Sequence, residues 1–360
     1  MLVLYVIVSL LYIKTIDCQS NICQPHQNGH VPLFLFGDSV FDTGNNNYIN
    51  TTTTLQANFP PYGESFFNYP TGRFSDGPEY AKLPLISPYL HPAKFHDSYM
   101  YGVNFASAGA GALVETYQGM VLGLNTQVTY YKNVCNALRK KLGNTEANLF
   151  LSKSVHLFNI GANDYGARFV SKSSDLLHYS QQQFIDIVIG NLTAAIKEIH
   201  SQGGRKFGFF NVGPAGCSPT VKIHVNGTKG ACHEKLLEVA RLHNYQLPRV
   251  LRKLEKQLEG FKYSVFDFYN SALQVMKFPS KYGFKEGGVA CCGGGPYRGD
   301  GSCGGKRGIK KYKLCKNVND YLFFDSAHPT DKANQLFTQQ MWSGNLTLNK
   351  PYNLQQLFGL

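Results

Sequence analysis

The chain has 360 residues, 43% of them hydrophobic and only 16% charged, below the roughly 25% charge of an average soluble domain. That balance excludes intrinsic disorder, and the 36 glycines and 16 prolines are too scattered for a collagen-like or low-complexity chain. With 35 Lys and Arg against 23 Asp and Glu the net charge is +12, which favours anionic surfaces without naming one, so nucleic-acid binding would have to be argued from motifs.

Met1 to Ile13 is almost wholly apolar and is stopped by Lys14 and Asp17, short of the roughly 20 residues that cross a bilayer. It reads as a signal peptide over residues 1–18, which makes the protein secreted and extracellular and leaves residues 19–360 as one domain. Cleavage after Cys18 leaves Cys23, Cys135, Cys217, Cys232, Cys291, Cys292, Cys303 and Cys315, an even set that can pair completely in an oxidising compartment. Cys217 with Cys232 is the local pairing expected. Zinc is the competing reading for the last four, whose spacing has no C-x-x-C pair. Sequons at Asn50, Asn191, Asn226 and Asn345 fit a secreted glycoprotein.

Val31 to Phe36 is a continuous apolar run ending in Gly-Asp-Ser, as a buried parallel strand does when it delivers a residue to its carboxyl edge. Similar runs recur at Gly102 to Ala106, Val155 to Ile160, Phe207 to Val212 and Tyr263 to Phe268. Helical spacing lies between them at Leu124 to Leu142, Phe184 to Ser201 and Glu234 to Leu258, the last bent or broken at Pro248. Pro329 is expected to open the final helix, toward Trp342. Alternating strands and helices predict an α/β fold with a mostly parallel central sheet, helices on both faces and function at the carboxyl ends of strands.

Gly287 to Lys316 breaks this rhythm with many glycines, four cysteines and Arg298, Lys306, Arg307, Lys310, Lys311, Lys313 and Lys316. It reads as a stapled basic loop, solvated and tied down by disulfides, with contact to an anionic cell-wall glycan or membrane surface as the functional alternative. Without interleaved aromatics or a nucleic-acid module, DNA and RNA are not expected partners.

Four distant segments each supply a group that acyl transfer needs. In Gly37-Asp38-Ser39 a serine at a strand end can sit exposed on a rigid edge and serve as nucleophile. In Asp325-Ser326-Ala327-His328 a carboxylate can orient an imidazole, so that the free ring nitrogen takes the Ser39 proton and returns it to the leaving group. Gly109, in Asn104-Phe105-Ala106-Ser107-Ala108-Gly109-Ala110-Gly111, can offer its N–H to an oxyanion, and the Asn163 amide, in Gly161-Ala162-Asn163-Asp164, can donate a second bond. Gly111 is the competing donor. Each segment alone is a common turn or cap; the set of four carries the argument.

Together the segments resemble the plant GDSL esterase/lipase branch of the SGNH hydrolases. FGDSVFDTGNNN, VNFASAGAG, GAND and FFDSAHPTD are similar to the family blocks, and NVGPAGCSP and CCGGG to plant-family features. Phe324 stands where many relatives have Trp, and Ala108 where many have a second Gly. The resemblance implies Ser39 as nucleophile, Asp325 and His328 as orienter and base, and Gly109, Asn163 and the Ser39 N–H as oxyanion donors. It also implies a flavodoxin-like three-layer α/β/α sandwich.

No G-x-S-x-G elbow surrounds Ser39, and Val114 occupies the third glycine position of a dinucleotide fingerprint, so no cofactor is expected. His156 in a predicted strand is assigned a core hydrogen bond, and His233 and His243 surface or packing roles. The expected protein is a monomeric secreted esterase or lipase acting on a small ester or acyl-lipid. An acyltransferase using an alcohol acceptor is one alternative; a non-catalytic wall- or glycan-binding protein is the other. Thr51 to Thr54 and Pro60 to Tyr69 are expected as loops near Ser39 and candidate specificity walls.

Overall fold

The computed structural model describes residues 31–77, 86–92, 96–169, 178–225 and 230–360. The apolar leader, Cys18, Cys23 and the Asn226 sequon lie outside these residues. Five parallel strands, β1 (Leu33–Gly37), β2 (Gly102–Asn104), β3 (Val155–Asn159), β4 (Lys206–Phe210) and β5 (Lys262–Phe266), and the antiparallel β10 (Asn349–Lys350) form one sheet. The order is β10-β5-β4-β3-β1-β2.

The period of two along each strand decides the layers. Phe34, Phe36, Phe158, Phe207 and Phe209 point to one face. They share one core with α1 (Leu124–Leu142), α2 (Asn144–Lys153), α3 (Ala162–Phe169), α4 (Gln181–Ser201), α5 (Pro219–Lys222) and α6 (Glu234–Gln257). Leu33, Leu35, Val155, Leu157 and Phe266 point to the other face. There they meet α7 (Phe268–Lys277), α8 (Asp331–Ser343) and α9 (Leu354–Gly359). Strands buried on both sides explain the unbroken apolar runs in the sequence, and the three-layer α/β/α expectation agrees with this architecture.

Across the first face, Phe36, Phe158 and Phe209 stack at 4.9 and 5.2 Å. A second row runs Phe34, His156, Phe207 and Phe261, at 5.4, 5.3 and 4.8 Å. His156 is buried, and its Nδ1 lies 3.2 Å from the Lys206 carbonyl while its Nε2 faces Tyr131 Oη at 2.8 Å. Because a carbonyl only accepts, Nδ1 carries the proton. Burial pushes this ring down to about 3, so it stays neutral. His243 is a second buried ring, bonded to Tyr165 Oη at 2.7 Å, and His233 caps α6.

Several boundaries differ from the sequence reading for local reasons. Ser180 and Gln183 form a capping box, so α4 starts at Gln181 rather than Phe184. Asp267 caps α7, so Phe268 opens a helix instead of closing a strand. Of the bend or break expected at Pro248, the break does not occur: α6 continues through it, because one missing N–H costs less than the burial of Leu247, Leu251 and Leu254 gains. Pro329 bridges to Phe323, Thr330 caps α8, and α9 follows, so neither the opening residue nor the last helix is as expected.

A third apolar cluster lies apart from the main sheet, around Phe59, Tyr62, Phe74, Phe324, Cys291, Cys292 and Cys303. Here β6 (Glu286–Ala290) pairs with β9 (Tyr321–Phe323) and β7 (Cys292–Gly293) with β8 (Lys313–Leu314). Cys291–Cys315 and Cys292–Cys303 are disulfides, which answers the zinc reading, and Cys217–Cys232 pairs as expected. Complete pairing of eight cysteines is corrected: Cys135 is a free thiol in the buried stripe of α1, pushed up to about 11 by burial. Among the described residues no helix is long and apolar enough to cross a membrane.

Candidate active site

The site begins where β1 stops. Gly37 is held on both sides of its peptide by one buried side chain: its N–H donates to Gln127 Oε1 at 2.8 Å, and its carbonyl accepts from Gln127 Nε2 at 2.8 Å. The same carbonyl accepts the Ser107 N–H at 3.0 Å. Phe41 and Asp42 N–H both return to the Asp38 carbonyl, at 3.1 and 3.0 Å, so Ser39 sits on a tight turn at the carboxyl edge of the sheet.

Asp325 and His328 arrive from the turn between β9 and α8, tied down by the Phe324 N–H to the His328 carbonyl at 2.8 Å. Asp325 Oδ1 accepts from Ala327 N, His328 N and His328 Nδ1, at 2.9, 2.8 and 2.8 Å. A carboxylate only accepts, so Nδ1 bears hydrogen and Nε2 presents its lone pair to Ser39 Oγ, 2.7 Å away. Phe74 covers the ring with centroids 4.6 Å apart. Burial alone would raise the Asp325 carboxyl, but the charge and hydrogen bond of His328, the Arg307 charge and the Tyr62 hydroxyl outweigh it and hold it well below the usual range.

The segment carrying Gly109 is anchored to the Ser39 turn. Asp42 Oδ1 accepts Gly44 N and Asn45 N at 2.7 Å each, and its Oδ2 accepts Ala108 N at 2.9 Å. Asn163 Nδ2 donates to the Ala110 carbonyl at 3.0 Å, which spends one of its two protons and orients the other. Neither Ser39 N–H nor Gly109 N–H has an acceptor among the described residues. Gly109 has a left-handed φ of +85°, a backbone shape that disfavours any side chain. Gly111 is glycine for another reason: a Cβ there would fall 2.3 Å from Asp164 Oδ1, a carboxylate already receiving Ala112 N, Leu113 N and Thr116 Oγ1.

Asp38, next to the serine, is buried with one backbone donor, Val40 N at 3.1 Å. Burial pushes it up from 3.8 to about 7, against the Val40 bond and the pull of His328, with Asp164 adding to the rise. The folded chain then keeps a proton that the unfolded chain releases near 3.8, so stability complete below that pH is lost as pH rises to about 7. Asp38→Asn keeps an acceptor for Val40 and cannot ionise. Its melting temperature is expected to climb relative to wild type across this window and to run parallel above it; parallel curves throughout would contradict the assignment.

Sequence reasoning missed the residues behind Asp325. Tyr62 Oη donates to Asp325 Oδ2 at 2.6 Å, so the Pro60 to Tyr69 segment meets the carboxylate. Arg307 and Arg298 correct the solvated-loop reading: Arg298 donates to the Ala290 and Cys291 carbonyls, and Arg307 turns inward to Tyr62. Lys306, Lys310, Lys311, Lys313 and Lys316 do remain exposed. No local periodicity marks contacts spanning such separations.

The molecule is thus an α/β sandwich with a hydrogen-bonded serine, histidine and aspartate beyond its strand ends. Residues 33–341 match the family model described as GDSL-like Lipase/Acylhydrolase, and the chain belongs to that family. It is 46% identical to GDSL esterase/lipase 3 of Arabidopsis thaliana over 361 aligned residues, covering 100% of this chain and 98% of the relative. It is 48% identical to GDSL esterase/lipase 1 of the same plant, over 91% and 90% of the two chains. A GDSL lipase of Tanacetum cinerariifolium is 47% identical over 91% and 87%.

Proposed function

We propose that the protein is a secreted carboxylic ester hydrolase that works through an acyl-enzyme on Ser39. The observation that carries this reading is the 2.7 Å approach of His328 Nε2 to Ser39 Oγ, with the opposite ring nitrogen bonded to Asp325. Ser39 Oγ attacks the ester carbonyl carbon while its proton passes to Nε2. The resulting oxyanion takes hydrogen bonds from the Ser39 and Gly109 N–H groups and the Asn163 amide. Collapse breaks the ester C–O bond, and the departing alkoxide takes the proton from His328. Water then repeats the sequence on the acyl-enzyme and releases the acid. Small-molecule esters or acyl-lipids are the substrate class, in keeping with the relatives' names as esterases and lipases. Three disulfides and the apolar start of the chain support passage through an oxidising compartment.

The test is a fluorophosphonate ester followed by peptide mass spectrometry. One adduct is expected, on the peptide containing Ser39, with hydrolysis lost in proportion to labelling and no adduct in Ser39→Ala. An inactivating adduct on another residue, or full labelling with undiminished turnover, would refute the mechanism.

A further inference from the structure

Arg307 belongs to the basic loop between Cys303 and Cys315, yet its side chain is 7% exposed and lies 3.9 Å from the Asp325 carboxylate. That separation is too long for a hydrogen bond, and Tyr62 fills it. Arg307 Nη1 donates to Tyr62 Oη at 2.7 Å, and Tyr62 Oη donates its single proton to Asp325 Oδ2 at 2.6 Å. The other guanidinium edges are also used: Nε donates to the Thr53 carbonyl at 3.2 Å and Nη2 to the Gln56 carbonyl at 2.7 Å. The rings of Phe59, Tyr62 and Phe74 surround it at 5.4, 5.2 and 5.4 Å.

Burying a cation this deeply is costly unless its donors are satisfied and a counter-charge faces it. Each guanidinium nitrogen has an acceptor here, and the counter-charge is the group that orients His328. On the reading that Ser39, His328 and Asp325 carry the reaction, we propose that Arg307 is a positioning residue that acts through Tyr62 on Asp325. The two disulfides Cys292–Cys303 and Cys291–Cys315 close the loop that delivers it. The resulting chain of bonds runs Arg307, Tyr62, Asp325, His328, Ser39. Each donor polarises the next group. Oδ2, which is left with a strong donor of its own, holds the carboxylate plane on Nδ1 while the imidazole gains and loses its proton. A lysine carries the charge but lacks the planar fork that reaches Tyr62, Thr53 and Gln56 together.

The test compares kcat and KM for p-nitrophenyl butyrate in wild type, Arg307→Gln, Arg307→Lys, Tyr62→Phe and the Tyr62→Phe/Arg307→Gln double variant, with thermal melts on each. Arg307→Gln and Tyr62→Phe are each expected to lower kcat roughly tenfold, the scale of a lost hydrogen bond to a charged group, while KM holds. The double variant loses no more than the worse single, because both changes break one relay. Arg307→Lys stays below wild type. Should Arg307→Gln fail to fold, Tyr62→Phe, which keeps its ring in the apolar cluster, and Arg307→Lys decide the matter. Wild-type kcat in either, or multiplying losses in the double variant, overturns the inference. Ser39→Ala separates the two readings: if it is inactive while these variants keep full kcat, only the Arg307 inference falls, and if it stays active the serine reading falls with it.

Discussion

Alanine at Ser39 and alanine at His328 are each expected to lower kcat toward activated esters by about the same factor, on the order of 10⁶ as for serine–histidine pairs in other hydrolases. The double variant should lose no more. On the proposed mechanism the hydroxyl at 2.7 Å from Nε2 is a poor nucleophile until the ring accepts its proton, and the ring has no other task once the hydroxyl is gone. What survives is the residual catalysis of substrate binding and the oxyanion donors, roughly 10³ to 10⁴ over water. Steady-state assays on folded variants, with melts recorded for each, provide the measurement. A double variant whose loss is the product of the single losses would mean that the two side chains act separately.

The segments that spell this site were legible because strand ends leave local marks. The apolar run Val31 to Phe36 reads as a strand buried on both faces, and such a strand hands Ser39 to an edge where the Asp38 carbonyl takes two N–H bonds. The helices α1, α4 and α6 carry long apolar stripes and were found within a few residues, whereas α2 and α7, with 10 residues each, are too short for periodicity to separate them from turns. Cys135 was readable in hindsight: it lies on the stripe of Val128, Tyr131 and Leu138, where a thiol packs rather than pairs. Arg307 was not. Its charge and glycine-rich neighbours say solvent, and only the meeting of three loops at Tyr62, Phe74 and Thr53 turns it inward.

The backing of His328 gives the second large effect. Asp325→Asn preserves shape and is expected to lower kcat by about 10⁴-fold, as in enzymes where the imidazole is left in the wrong tautomer. The reason lies in the directions of the donors. Ala327 N, His328 N, His328 Nδ1 and Tyr62 Oη all point hydrogen at the carboxylate, so an amide cannot satisfy them in either orientation. With Nδ2 on the Tyr62 side, two donors collide in a buried space, because the phenol oxygen already accepts from Arg307. With Nδ2 at the Oδ1 position, the amide opposes two backbone N–H groups and sets a donor against Nδ1, leaving Nδ1 only the longer 3.0 Å contact with the oxygen that Tyr62 also uses, so the tautomer with hydrogen on Nδ1 is disfavoured. The proton then moves to Nε2, and a ring that already holds hydrogen toward Ser39 cannot take another without becoming a cation that asparagine does not stabilise. The Ser39 adduct with a fluorophosphonate should form correspondingly slowly, and the melting temperature should fall as well, because Arg307 loses its buried counter-charge and a buried donor is left unpaired. A loss below tenfold would show that tautomer choice at His328 is set by something other than Asp325.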